Sequence, residues 1–113
     1  MKKRNILKNS RDFTKIIKSK TPYKSKNYII YLDRTEEESY HFGISVSQKI
    51  GNAVVRNRIK RQIKSILDKK DYKKGFNCII IVRKSLLNLD FNEMRESLFE
   101  QIHKLKIEKE RSE

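Results

Sequence analysis

Three arginines fall close together at Arg56, Arg58 and Arg61, interleaved with Asn57 and Lys60 and followed by Lys64. A guanidinium is a planar fork that bonds phosphate through two N–H groups and stacks on bases, so this grouping points to nucleic-acid binding. Stepping about 100° per residue from Ile59 puts Val55, Ile63 and Ile66 within about 40° of it and Asn57, Arg61 and Lys64 about 140–160° away, with Arg58 and Lys60 on the flanks. One side of the implied helix suits a core and the other presents cations. No acid stands four residues from any of these arginines, unlike the paired charges of an ordinary solvated helix. Arg56 lies beside the apolar stripe, where its stem can pack while its head reaches out. Ala53 and Val54 fall on the polar half near the helix start, where small side chains let a phosphate approach free backbone N–H groups.

Bond-making chemistry by the polypeptide is not expected. The chain has no Ser-His-Asp set, glycine-rich phosphate loop or paired carboxylates placed for acid–base work. His41 and His103 fall on different elements, and one cysteine cannot build a zinc site with them. Cys78, in an apolar run, reads as a small core hydrophobe, and Glu36-Glu37-Glu38 as an exposed turn. Metal ligands are not identifiable, and no small-molecule substrate is implied.

The 113 residues suffice for one domain that buries roughly two-thirds of its unfolded surface, which excludes a two-domain enzyme. Their formal charge is +14, from 28 basic and 14 acidic residues. It is segregated: Leu89 to Glu113 holds 7 acids and 5 basic residues, leaving net +16 on Met1 to Asn88. Met1 to Lys26 carries 10 basic residues against Asp12 alone, and Ser39 to Leu67 carries 6 with no acid. Acid-free basic stretches indicate a polyanionic partner. The longest apolar run, Cys78 to Val82, is far short of the ~20 residues a membrane span needs. A soluble cytoplasmic protein with no membrane partner is expected.

The elements that must position the arginines read as an α+β sandwich: one mostly antiparallel sheet of about four strands with three helices, in the order α-β-β-(β)-α-β-α. Asn9 or Ser10 caps a short helix with Phe13, Ile16 and Ile17 on one face, and Pro22 ends it. Tyr28 to Leu32 is β-branched and aromatic, and Tyr40, Phe42, Ile44 and Val46 alternate with smaller or polar residues. Together these predict an antiparallel hairpin across the acidic turn. Gly51-Asn52 supplies a turn and an N-cap for the basic helix, through about Leu67. Isoleucine-rich Phe76 to Val82 reads as a central strand buried on both faces. Asp90 and Glu93 start a last helix with Phe91, Met94, Leu98, Ile102 and Leu105 on one side, and 108–113 is expected to fray.

Lys49-Ile50-Gly51-Asn52-Ala53-Val54-Val55-Arg56-Asn57-Arg58-Ile59-Lys60-Arg61 resembles the signature of the bacterial ribonuclease P protein component, whose hallmark is Arg-Asn-Arg followed by a basic helix. The resemblance extends through Lys3-Arg4-Asn5, Asp12-Phe13, Gly43-Ile44-Ser45-Val46-Ser47 and Ile79-Ile80-Ile81-Val82-Arg83-Lys84. It implies a single domain over 1–113 with a left-handed β-α-β crossover around the signature helix, an exception to the usual hand. It implies two partners, a catalytic RNA subunit and precursor tRNA, whose 5′ leader is removed by RNA- and Mg²⁺-dependent hydrolysis. The Mg²⁺ would be held mainly by RNA and substrate, and the polypeptide alone would be inactive.

Contacts to the RNA subunit and leader phosphates would then come from Lys49, Asn52, Arg56, Asn57, Arg58, Lys60, Arg61 and Lys64. The leader would lie in a cleft lined by Phe13, Ile17, Ile29, Tyr31 and Ser45, with Gly43 and Ser45 as a low floor. Two positions depart from the family: Ile17 replaces a customary aromatic, and Lys64 replaces what is commonly arginine. The alternative from the residues themselves is a ribosomal or general RNA-binding protein without a catalytic partner. A metal nuclease would need a site that nothing in the sequence places.

Overall fold

The computed structural model describes residues 1–109. Helix α1 (Ser10–Ser19) starts where Asn9 Oδ1 accepts the Arg11 N–H at 2.9 Å and stops at Lys20, just before Pro22. Three strands follow, β1 (Tyr23–Lys24), β2 (Tyr28–Arg34) and β3 (Tyr40–Ser45). Then come helix α2 (Ala53–Leu67), strand β4 (Phe76–Val82) and helix α3 (Phe91–Leu105). The N-caps fall where the sequence put them. Asn52 Oδ1 accepts the Val55 N–H at 3.1 Å, and Asp90 and Glu93 form a reciprocal capping box.

The expected hairpin between β2 and β3 does not form. Sheet order is β1-β2-β4-β3, with β4 antiparallel to β2 and parallel to β3. A strand apolar on both faces gains most by having neighbours on both sides, so Phe76–Val82 takes the centre and displaces the local pairing. The acidic turn therefore spans two ladder steps, about 10 Å, instead of closing a tight turn. Its mouth is held by Gly75, whose carbonyl accepts the Thr35 N–H at 2.9 Å and whose N–H donates to Ser39 O at 3.0 Å. Gly75 has φ +83°, and a Cβ there would lie 2.6 Å from the Thr35 carbonyl oxygen. Only glycine fits that conformation and that space.

Alternation divides the sheet into two faces. Tyr28, Ile30, Phe42, Phe76, Cys78, Ile80 and Val82 form the main core with Ile59, Ile63, Ile66 and Leu67 of α2 and Met94, Leu98, Ile102 and Leu105 of α3. Phe91, expected on that stripe, is instead exposed at the first turn of α3. Among the described residues, α1 is the α-helix seated on the other face. Unit β3-α2-β4 is a parallel β-α-β crossover.

Fraying from Glu108 is corrected for two residues. Glu108 bridges to Tyr72, and the Lys109 N–H donates to Asp71 O at 2.9 Å, behind a fully buried Ile107. The remainder of the expected tail, 110–113, lies outside the described residues. No helix among the described residues is long and apolar enough to cross a membrane.

Candidate nucleic-acid interface

The basic face is built by α2. Burial of Ile59, Ile63, Ile66 and Leu67 against the sheet turns the opposite side of the helix away from it. Asn57, Arg58 and Arg61 are exposed there, with Lys60 and Lys64 half-buried beside them. Half-buried Arg56 donates from Nε to Gly51 O at 3.2 Å, which orients its guanidinium and leaves the terminal nitrogens for an anion. Lys49 is exposed on the approach to the helix, on a turn where its N–H donates to Ser47 Oγ at 3.1 Å. Asn52 is exposed, but its side-chain oxygen is committed to the cap.

Among the described residues, none of Lys49, Arg56, Arg58, Lys60, Arg61 and Lys64 forms an ion pair. The first turn of α2 has no acid, so the positive end of the helix dipole is not offset by its own side chains. Unpaired cations and this open helix start combine into one electropositive surface suited to a phosphate backbone.

The cleft residues gather elsewhere, on the α1 face. Cross-strand register puts Ile29, Ile81 and Ser45 in one row, with Lys24 of β1 beside Ile29. Tyr31, Ile79 and Gly43 form the next row. Ile79 is fully buried, as is Ile16 nearly, while Ile29, Tyr31, Ser45 and Ile81 are half-buried and Ile17 is exposed. Ile79 and Gly43 are thus covered in the Tyr31 row, Gly43 by Phe13 of α1, while Tyr31 stays half-open like the neighbouring Ile29–Ile81–Ser45 row.

The expectation of Gly43 as bare floor is corrected. Gly43 is buried, and the half-buried Phe13 ring occupies the space its side chain would take. Ile81 and Lys24 complete the open row. Ile81 was hidden because a strand apolar on both faces does not reveal which residue looks out, and Lys24 because so short an edge strand gives no periodicity.

The two surfaces lie on opposite sides of the sheet and meet where β3 runs out through Ser45 into the turn before α2. His41 and His103 do not come together: His41 Nδ1 pairs with Asn77 Oδ1 at 2.8 Å and His103 Nδ1 with Glu108 Oε1 at 3.0 Å. Cys78 is fully buried, and burial pushes its thiol up, out of the reactive range. Among the described residues no three His, Cys, Asp or Glu side chains are placed to hold a metal ion.

A small basic α+β domain whose exposed helix face carries arginines without ion-pair partners among the described residues has the form of a nucleic-acid-binding protein. Residues 1–106 match the family model described as Ribonuclease P. The chain is 42% identical over 114 residues to the ribonuclease P protein component of Bacillus velezensis, covering 99% of this chain and 98% of that protein. It is 39% identical to that of Mycoplasma mycoides subsp. mycoides, covering 94% and 100%. Among solved structures, the Staphylococcus aureus RNase P protein superposes with a TM-score of 0.82 at 28% identity, covering 91% of this chain and 96% of that one. The Thermotoga maritima RNase P protein gives 0.78 at 28%, covering 87% and 94%. The chain belongs to the ribonuclease P protein component family. It is the protein subunit of the tRNA-processing ribonucleoprotein, and so part of an endoribonuclease holoenzyme.

Proposed function

We propose that this polypeptide works by holding two RNAs at once and does no bond chemistry itself. The α2 face, through Arg56, Asn57, Arg58, Lys60, Arg61 and Lys64 with Lys49 and Asn52 at its start, takes the backbone of the catalytic RNA subunit. The cleft of Phe13, Ile17, Ile29, Tyr31 and Ser45 takes the single-stranded 5′ leader of precursor tRNA. Supporting this division is the placement of the two sets on opposite sheet faces, joined at Ser45. Half-exposed Tyr31 offers a stacking plane without base-edge readout, which suits leaders of varied sequence. Mg²⁺ acts in this reading on RNA and phosphate oxygens, the hard donors it prefers. The work takes place in the cytoplasm.

Reconstitution with the RNA subunit tests the proposal. Cleavage of precursor tRNA at low Mg²⁺ should require both components, and affinity over mature tRNA should grow with leader length until the cleft is filled. Cleavage by the protein alone, or a length-independent affinity, overturns it and favours a general RNA-binding role.

A further inference from the structure

Helix α1 has ten residues, about 15 Å, and among them only Ile16 is buried. A helix this short is marginal on its own and depends on how it is seated. Its seating is sparse. At the β2 end, Lys20 pairs with Asp33 at 3.5 Å. At the β3 end, Phe13 rests on Gly43, where a Cβ would fall 2.9 Å from ring atom Cε2, 3.0 Å from Cε1 and closer still to Cζ. Ordinary carbon contacts are about 3.5–4.0 Å, so any side chain at position 43 must push the ring off the strand by on the order of 1 Å.

Gly43 has no unusual backbone angle that would require glycine. Its lack of a side chain matters for the space above it. That space sets the height of α1 over the sheet, and because Gly43 stands one row from Ile29–Ile81–Ser45, the same height bounds the opening beside that row. We propose that Gly43 is a positioning residue for single-strand binding: it lets Phe13 seat on β3 and thereby fixes the width of the cleft. This rests on the reading that the cleft takes the leader.

The test uses the holoenzyme reconstituted with its RNA subunit and measures affinity for precursor against mature tRNA. Gly43→Ala and Phe13→Ala should each reduce the preference for precursor by about tenfold, the order of one lost stacking contact. Affinity for the RNA subunit, carried by α2, should stay within about twofold, which a general loss of folding would not allow. The double variant has room for the added methyl group and should match Phe13→Ala.

An unchanged preference in Gly43→Ala, alongside loss in Tyr31→Ala, overturns the positioning role and leaves the cleft reading standing. An unchanged preference in Gly43→Ala, Phe13→Ala and Tyr31→Ala removes the cleft reading and the positioning role with it. Should Gly43→Ala fail to assemble, the double variant decides: equivalence to Phe13→Ala supports the proposal, and a further loss of preference overturns it.

Discussion

Arg56 shows how one side chain can serve fold and function together: its Nε donates to Gly51 O and braces the turn that starts α2, while the outer edge of the fork remains available. Among the described residues, Arg61 and Lys60 have no such internal partner. If about five phosphates are neutralised by this face, log K for the RNA subunit should fall with log salt at a slope of roughly −3.5 to −4.5, and Arg61→Ala or Lys60→Ala should each flatten it by up to ~1. Binding titrations across a salt series check this, and an unchanged slope would place these residues away from RNA. The arginines were readable from sequence because helical periodicity alone assigns their face. The role of Gly43 was less readable, because it depends on Phe13 from another element, whose approach only folding brings about.

At the scale of elements, helix starts were legible and strand neighbours were not. A cap is a local matter: Asn52 and Asp90 reach N–H groups three residues ahead, so residue type and spacing are enough. Pairing is not local. Tyr28–Leu32 and Tyr40–Val46 alternate as hairpin strands do, yet β4 enters between them from beyond α2 because its two apolar faces both need cover. Gly75 is the hinge of that insertion, bonded to both sides of the acidic loop. Gly75→Ala should destabilise the fold by about 2 kcal/mol, combining a left-handed conformation with a clash against the Thr35 carbonyl. Urea unfolding measures this, and a change below ~0.5 kcal/mol would show that the loop relaxes freely.

Charge is arranged at the scale of the whole molecule. Several acids find partners away from the α2 face, Asp33 with Lys20, Glu38 with Lys74, Glu100 with Lys104, and Glu108 with Lys70 at 2.6 Å, while Asp68 at the C-cap of α2 pairs with the Met1 terminal amine. The hydrogen bond from Lys70 holds the Glu108 carboxyl below its usual range. A carboxylate depressed in the folded state adds stability above its unfolded titration range and loses it as pH falls through its folded one. Glu108→Gln should therefore lower the melting temperature at neutral pH and converge on the unsubstituted protein in acid, once Glu108 is protonated. The pair is partly exposed, so the difference should not exceed about 1 kcal/mol. Melting curves against pH test it, and a gap that persists in acid would assign the effect to packing of the C-terminal segment around Ile107.

By itself the sequence determined what depends on nearest neighbours and on sign: three helices with their caps, a central isoleucine strand, a cationic helix face with no acid at helical spacing from its arginines, and a net charge concentrated in the first 88 residues. Those properties survive without knowing which elements touch. Tertiary structure alone decided the strand order, the seating of Phe13 over Gly43, and the separation of basic face and cleft onto opposite sides of the sheet. The reason is physical. Each arises from competition among distant segments for the same buried surface, and chain periodicity carries no record of which segment prevails.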